Sequence, residues 1–304
     1  MAVSAARLPS IADLSVLGKA KAYVSLTKPR IIELLLVTTV PTMVLAARGL
    51  PNGWLILETL IGGTLAAGGA NAINMYIDRD IDAIMHRTSR RPLVTGAVTP
   101  QAALTFAVAL EVAAFVELAV LVNLISAVLA VAATLFYVFV YSLWLKRTSM
   151  QNIVIGGAAG AVPVLVGWTA VRGSLSLAPI VLFAVIFVWT PPHFWALAIR
   201  YRSDYVAAEV PMLPAVMSFE STARRIVAYS VVLWATTLLF GAVGGVGVLY
   251  WAAAVVLGAI FLVYAVRLYR ERTEARAMQL FGWSITYVTL LFAAIAIDQL
   301  VHHA

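Results

Sequence analysis

The sequence predicts an all-α polytopic membrane protein with nine transmembrane helices, and three observations support this. Of its 304 residues, 62% are hydrophobic and only 12% are charged, against about 25% charged residues in soluble domains. Apolar stretches recur along the chain at lengths that can cross a bilayer. Lys and Arg residues concentrate in alternate connections between these stretches, which is typical of a protein threaded repeatedly through a membrane.

The nine predicted spans each have the roughly 17–25 residues that a bilayer core requires. They cover residues 31–48, 54–76, 101–122, 124–145, 152–171, 178–200, 225–243, 249–268 and 281–301. The long polar connections are 77–100, 201–224 and 269–280. Residues 1–30 are predicted to form a cytoplasmic arm, and residues 31–304 a single membrane domain. No cleavable signal peptide is expected, because the basic N-terminal region is not followed by a short apolar run and a small-residue cleavage site.

The distribution of basic residues predicts the orientation. When the spans alternate, every one of the 21 Lys and Arg residues except Arg48 and Arg172 falls on the side of the N-terminus. Because cytoplasmic loops carry the excess of Lys and Arg, the N-terminus is predicted inside and the C-terminus outside. The net charge of +7 then reflects topology and not a nucleic-acid partner. Connections 77–100 and 201–224 lie on one side, where they can face each other across a cavity.

The densest charge in the chain follows the second span, between residues 74 and 97. Asn74, Asp78 and Asp82 recur every four residues. On an α-helix this spacing advances about 6 Å and drifts about 40° per step, so the three side chains share one face. Carboxylate and amide oxygens suit Mg²⁺, which keeps water or substrate phosphate in its remaining positions.

Arg87, Arg90 and Arg91 follow this acidic motif directly and can contact a phosphate. Carboxylates and arginines together at the end of a membrane helix indicate a metal-bridged diphosphate. The alternative for this stretch is a solvated, charged helix end. The chain contains no cysteine, which excludes disulfides, thiolate metal sites and cysteine nucleophiles.

A second group of chemically active residues surrounds the end of the sixth span. Asp204 is a candidate for a second metal ligand, and Glu209 is a weaker candidate close to it. His193 lies within the span, where a histidine usually faces a bundle interior or a cavity. Its imidazole can hold a substrate or metal or act as a base near neutral pH, and a hydrogen-bonded packing role is the alternative. Pro191 and Pro192 are expected to kink or open the helix beside it.

Other intramembrane features have less specific interpretations. Glu111 and Glu117 lie in the third span on different helix faces, and the sequence identifies no partner for either. Glycine-rich stretches at 62–63, 68–69 and 156–161 predict close approach of helix backbones in lipid.

The acidic motif and four other stretches of the sequence resemble those of a known family. Asn74, Asp78 and Asp82, followed by Arg87 and by Arg91 in RPL, resemble the first aspartate-rich motif of the UbiA-type intramembrane prenyltransferases. Four further stretches are similar to the branch of this family that farnesylates heme: LTKPR at 26–30, NIVIGG at 152–157, WTPPHFW at 189–195 and VPMLP at 210–214. The similarity extends from about residue 23 to 300. The first motif identifies only the family, whereas WTPPHFW and VPMLP are specific to the branch.

The resemblance implies a nine-helix bundle with a central cavity that opens to the cytoplasm, and Mg²⁺ bound to farnesyl diphosphate. It implies transfer of the farnesyl group to a vinyl group of heme B to give heme O, with heme as a substrate and the lipid bilayer as the setting. A bacterial inner membrane is the expected location, and a heme A synthase is the expected downstream partner.

The resemblance also assigns roles to residues. The metal–diphosphate role falls on Asn74, Asp78, Asp82 and Asp204, and diphosphate contacts fall on Arg87, Arg91 and Lys146. His193 is assigned to the acceptor side. The second motif departs from the family's usual pair of aspartates, because Ala208 stands at the second position. Glu209 also stands where the branch more often has glycine or asparagine, so the residue that completes the second metal site stays open.

Two other functions fit parts of the sequence. Prenylation of an aromatic acid for quinone synthesis would use the same first motif, and the region around His193 discriminates between the two acceptors. A transporter with an intramembrane ion site is expected to carry acidic residues at the bilayer midplane, whereas most acidic residues here cluster at the cytoplasmic rim.

The orientation can be tested with topology reporters. A reporter fused after Ala304 and another inserted within residues 269–280 should lie on opposite sides of the membrane, because a single span separates them. The same location for both reporters would contradict the alternation from which the orientation is derived.

Overall fold

The computed structural model describes residues 15–302, apart from the side chains of residues 30, 31, 33–36 and 302, and the regular structure in this range is entirely helical. The helices are α1 Val16–Thr27, α2 Pro29–Ala47, α3 Gly53–Ile77, α4 Arg79–Ile84, α5 Pro100–Glu117, α6 Leu124–Leu135, α7 Lys146–Thr148, α8 Asn152–Arg172, α9 Leu177–Arg200, α10 Arg202–Ala207, α11 Leu213–Val216, α12 Phe219–Val243, α13 Val248–Glu271 and α14 Glu274–His302. A π-helical segment, Leu118–Val122, continues α5, and another, Phe136–Leu145, joins α6 to α7.

The predicted spans coincide with the long helices. Eight helical segments of the described chain are long and apolar enough to cross a membrane. The first predicted span, 31–48, coincides with α2, which is apolar over its described part Val37–Ala47. The polytopic helical fold is therefore confirmed, and the count of nine stays a prediction.

The polar connection predicted at 269–280 is wrong, because only Arg272 and Thr273 separate α13 from α14. The helices continue past their apolar parts, where an ion pair joins Arg276 Nε to Glu271 Oε2 at 2.6 Å. Hydropathy marks where a helix leaves the lipid and not where its hydrogen bonding ends, so charged helix ends resemble a loop in the sequence.

The predicted N-terminal arm contains a helix that the composition did not indicate. Leu26 of α1 is fully buried, and the Asn71 side chain of α3 donates to the Thr27 carbonyl at 3.0 Å. The edge of the Tyr23 ring packs against Phe106, with ring centroids 5.0 Å apart. These contacts hold α1 beside the end of α3 at which the acidic motif lies.

Small residues bring helix backbones together, as the glycine-rich stretches predicted. A Cβ added at Gly69 of α3 would lie 3.0 Å from the Ala107 carbonyl oxygen of α5. A Cβ added at Gly167 of α8 would lie 2.7 Å from the Thr39 carbonyl oxygen of α2. Since both neighbouring atoms belong to the backbone, only glycine permits these approaches. Gly63 and Gly160, in contrast, face open space.

Helix α9 remains helical through Pro191 and Pro192, so the prediction that the helix opens there is wrong, whereas the alternative, a kink, stays a prediction. Both proline rings are buried among neighbouring helices. Each proline removes one hydrogen bond to the carbonyl four residues earlier, but the packing of α9 against α8, α12 and α14 keeps the helix continuous.

Candidate active site

The first acidic motif lies where α3 meets α4. The backbone N–H groups of Asp78 and Asp82 donate to carbonyls four residues earlier at 2.9 and 2.8 Å, so the helical course continues through the junction. The Asn74 amide donates to Asp78 Oδ2 at 2.7 Å, and all three side chains are buried. The predicted shared face is therefore confirmed for Asn74 and Asp78, and Asp82 follows in the same helical course.

Each of these three side chains is paired with a cation from another segment of the chain. Lys146 Nζ donates to Asp78 Oδ2, Arg91 Nη1 donates to Asp82 Oδ2 at 2.5 Å, and Lys28 Nζ donates to Asn74 Oδ1 at 2.8 Å. Basic side chains from three separate segments thus converge on one buried set of oxygen atoms. We call these six residues the rim cluster.

The oxygen atoms of the rim cluster fit a hard divalent cation. Asp78 Oδ1 is buried and accepts no hydrogen bond, and Arg147 Nη2 lies 3.9 Å from it. Among the side chains that the structure describes, no three from His, Asp or Glu come close enough to form a metal site by themselves. The candidate ligand set is therefore two carboxylates and an amide. Such a set leaves coordination positions for water or phosphate, as Mg²⁺ sites usually do.

The second motif approaches the first through Asp204. Its Oδ2 accepts a hydrogen bond from the backbone N–H of Arg87 at 3.0 Å, across 117 residues of sequence. The Arg87 guanidinium lies over the Tyr201 ring at 5.3 Å and contacts Tyr205, whose pKa is raised by burial. The two charged connections therefore meet. Glu209, by comparison, is exposed and has no ion-pair partner in the part of the chain that is described.

Lys28 is a member of the rim cluster that sequence reasoning missed. It caps α2 in the left-handed conformation, with φ of 53°, which is uncommon for a residue with a side chain. Burial, reinforced by the nearby charges of Arg91 and Lys146, lowers the pKa of Lys28 to about 7. The one feature of the sequence that could have indicated Lys28 is its position directly before Pro29, at the start of the first span.

Arg147 and Asp80 form a further ion pair next to the rim cluster. Arg147 donates to both carboxylate oxygens of Asp80 at 2.8 Å and to the Ile77 carbonyl at 3.1 Å. Its hydrogen bonds lower the pKa of Asp80 to about 2. The Asp80 side chain is 62% exposed, whereas that of Asp78 is fully buried, so the two aspartates have different environments.

His193 lies deeper in the bundle, away from the acidic residues. Its ring is stacked between Trp189 and Phe281, at centroid distances of 4.2 and 4.8 Å. Nδ1 lies 2.6 Å from Ser284 Oγ, and that hydroxyl donates to the Phe281 carbonyl at 2.6 Å. Because the single hydroxyl proton of Ser284 is used in this way, Nδ1 must be the donor to Oγ. In the neutral ring, the Nε2 lone pair is then left for a ligand.

The two acidic residues of α5 lie apart from the rim cluster. Thr134 Oγ1 donates to Glu111 Oε1 at 3.2 Å, which gives Glu111 the partner that the sequence did not identify. The Glu117 carboxyl group lies against Gly62 of α3 and beside the carboxyl group of Glu58 in the same helix.

The pairing of Lys146 with Asp78 predicts a measurable stability effect. Lys146→Met should lower the free energy of unfolding by roughly 3 kcal/mol, because it leaves a buried carboxylate without its main partner. Adding Asp78→Asn to this variant should restore most of the loss. Thermal unfolding of the purified protein in detergent measures both effects.

Arg276→Met is the matched control, because it removes an ion pair at the surface, where solvent screening leaves such a pair little effect on stability. If Lys146→Met destabilised the protein no more than Arg276→Met does, the buried pairing would be contradicted.

Comparison with known proteins places this geometry in a family. The model of the UbiA prenyltransferase family matches residues 35–294. The chain is 53% identical over 301 residues to a protoheme IX farnesyltransferase of Kineococcus radiotolerans, covering 93% of this chain and 89% of that one. It is 54% identical over 287 residues to a protoheme IX farnesyltransferase of Frankia alni, covering 93% of this chain and 99% of the relative.

Solved structures share the fold at low sequence identity. A structure of digeranylgeranylglyceryl phosphate synthase aligns with a TM-score of 0.76 at 17% identity, covering 93% of this chain and 99% of that one. A UbiA homolog from Archaeoglobus fulgidus bound to GPP and Mg²⁺ aligns with a TM-score of 0.63 at 14% identity, covering 90% and 99% of the two chains. Because the family model matches residues 35–294, which are most of this chain, the chain belongs to the UbiA prenyltransferase family.

Proposed function

We propose that this protein transfers the farnesyl group of farnesyl diphosphate to a vinyl group of protoheme IX, giving heme O. The observation that carries the proposal is identity above 50%, along most of the chain, to relatives named protoheme IX farnesyltransferase. The rim cluster, which suits a metal-bound diphosphate, supports the same reaction. Because these relatives share one name, prenylation of a quinone precursor and membrane transport are not favoured.

We assign the metal-binding role to Asn74, Asp78, Asp82 and Asp204, with Glu209 as a further candidate on the second connection. When bound, Mg²⁺ supplies positive charge that stabilises the departing diphosphate. A homologous structure bound to GPP and Mg²⁺ supports this cofactor. The meeting of Asp204 with the backbone of Arg87 supports the inclusion of the second motif.

The diphosphate is assigned to Lys146, Arg91 and Arg87. Two of these cations already neutralise Asp78 and Asp82, so they lie beside the position at which the diphosphate would join the carboxylates. Arg87 is exposed, and its guanidinium lies over the Tyr201 ring on the second connection. Preorganised cations at the place where negative charge develops lower the barrier of a reaction in which a diphosphate leaves.

On the acceptor side, the chain provides an apolar interior and His193. The C–O bond to the diphosphate breaks, and the allylic carbon of the farnesyl group forms a bond with the terminal carbon of the vinyl group. The other carbon of the former vinyl group is left with a positive charge. Water adds to this carbon as a hydroxyl group and releases one proton. The lone pair of His193 Nε2 would bind the heme iron or accept a hydrogen bond from the attacking water, and the ring is held by Ser284. A hydrogen bond to a heme propionate would require a proton on Nε2, that is, the cationic ring.

We place the protein in the bacterial inner membrane, with the N-terminus in the cytoplasm and the C-terminus outside. The long apolar helices show that it is an integral membrane protein, and the distribution of Lys and Arg supports the orientation. A heme A synthase is the expected consumer of the product. The excess of basic residues at the cytoplasmic rim needs no nucleic-acid partner.

Removal of one carboxylate of the rim cluster should abolish turnover. Asp78→Asn or Asp82→Asn is expected to lower heme O formation roughly 100-fold or more, because each removes charge that orients and stabilises the leaving group. The assay incubates purified protein with Mg²⁺, heme and farnesyl diphosphate, and identifies the porphyrin product by mass spectrometry.

Asp80→Asn is the matched control, because Asp80 lies in the same segment but pairs with Arg147 and is exposed. It should retain most of the activity. The assignment fails if Asp78→Asn and Asp82→Asn both turn over normally, or if excess chelator leaves the wild-type activity intact.

His193→Ala should separate the two substrates. Heme affinity or product formation should fall, while Mg²⁺-dependent farnesyl diphosphate binding stays nearly unchanged, because His193 makes no contact with the rim cluster. Absorbance titration measures heme binding, and calorimetry measures diphosphate binding. His86→Ala, at an exposed histidine, serves as the control.

Unchanged heme affinity and turnover in His193→Ala would show that the histidine only packs against its neighbours. Loss of diphosphate binding alone would place it on the donor side of the cavity.

A further inference from the structure

A cavity of about 640 Å³ lies at the end of the bundle opposite the rim cluster. Helix α3 separates the two ends: it begins just after α2 ends and reaches the acidic motif 25 residues later, a distance of roughly 37 Å along a helix. The cavity lies among the ends of α2 and α8, the start of α9, the turn between α12 and α13, and α14. Nothing in the prenyl-transfer reaction uses this end of the molecule.

Two arginines line this cavity without a carboxylate partner. Arg48 ends α2 and Arg172 ends α8, and the ion pairs of the described residues include neither. The nearby carboxylate of Asp298 accepts hydrogen bonds from the backbone N–H groups of Gly247 and Tyr250. These arginines are also the two basic residues that the predicted orientation leaves on the outer side of the membrane.

The backbone of Arg48 adopts a conformation that is unfavourable for a residue with a side chain. Arg48 caps α2 with φ of 54°, in the left-handed region that glycine adopts without steric cost. Helix α8 ends in the usual way, with Gly173 in that conformation after Arg172. A glycine at position 48 would therefore suit the fold better, and a contact made by the arginine side chain would account for its presence.

The remaining lining is largely apolar, and a hydrogen bond holds one side of it in place. Leu45, Trp168 and Val243 contribute to the wall, and Gln299 Nε2 donates to the Gly245 carbonyl at 3.0 Å, which holds the turn that closes one side. Two guanidiniums beside a preformed apolar wall match a molecule with an anionic head and an apolar body. Arginine binds phosphate oxygens in a bidentate manner, and basic pockets between membrane helices bind lipid head groups.

We propose that this cavity is a binding site for an anionic phospholipid of the outer leaflet. The phosphate lies between Arg48 and Arg172, and an acyl chain lies along Leu45, Trp168 and Val243. The lipid thereby joins the ends of two helices whose like charges otherwise repel each other. The site is independent of the prenyl-transfer reaction, so each can be tested without the other.

The test uses native mass spectrometry of the purified, detergent-solubilised protein titrated with phosphatidylglycerol or with phosphatidylcholine of the same acyl chains. Phosphatidylglycerol should form a one-to-one adduct that phosphatidylcholine does not form. Arg48→Gln and Arg172→Gln should each weaken this adduct about fivefold, the effect of one basic residue near an anionic lipid. Arg224→Gln, at an exposed arginine outside the cavity, should leave the adduct unchanged.

Arg48→Gly distinguishes lipid binding from a purely structural role. Without lipid, this variant should melt at the same temperature as the wild type or higher, because glycine relieves the left-handed backbone. Its gain in melting temperature on adding phosphatidylglycerol should be smaller, because a ligand stabilises a protein only through the affinity it retains. The proposal is overturned if the two lipids bind equally, if the arginine variants keep the adduct, or if soluble glycerol phosphate competes as well as the lipid does.

Discussion

The buried carboxylate of Asp78 is the constraint on which the rest of the rim depends. A charge removed from water at a membrane surface is costly unless cations and hydrogen bonds compensate it. Here Lys146 and Asn74 do so directly. Because Lys146 lies in the last turn of the helical segment that starts at Leu124 and ends at Thr148, and Asp78 caps the end of α3, this pairing fixes two helix ends at the same membrane face. Two other pairs act in the same way. Arg91 joins a surface segment to Asp82, and Lys28 joins the start of α2 to Asn74.

The same arrangement gives the rim cluster its electrostatic character. Two carboxylates and an amide are contacted by three basic side chains, so the charge of Lys28, when this side chain is protonated, is not neutralised by its uncharged partner Asn74. Burial of Lys28 lowers its pKa because its charged form is desolvated and faces two other cations. The surplus of positive charge favours an anion with several charged oxygens. His193, in contrast, lies among aromatic rings with a neutral hydroxyl as its partner, an environment that suits a flat apolar molecule.

Much of this arrangement was predictable from local sequence patterns. Hydropathy located the long helices, and the four-residue spacing of Asn74, Asp78 and Asp82 predicted their common helical course. The contributions of Lys28, Arg147 and Ser284 could not be predicted in this way, because each depends on which helix packs beside which. The error at 269–280 has a related cause, since charged residues at a helix end look like a connection when their partners in the next turn are unknown. In the sequence, Arg48 and Arg172 were notable only as the two exceptions to the concentration of Lys and Arg on the cytoplasmic side. That both line one cavity could not be predicted, because it depends on how the helices pack.

The contact between Gly167 and the Thr39 carbonyl has a consequence for how the chain can change in length. It sets the register of α8 against α2, and both helices continue from this contact to their terminal arginines. One residue inserted between Thr39 and Arg48 would rotate the guanidinium by about 100° and advance it by about 1.5 Å. Insertions and deletions should therefore be excluded between this contact and the two helix ends. They should be tolerated a few residues further on, in the loop that starts at Gly49, where a Cβ added at Gly49 would have no other atom within 4 Å. The membrane segment of this protein can thus vary by substitution over most of its length, but in this part it has a fixed number of residues.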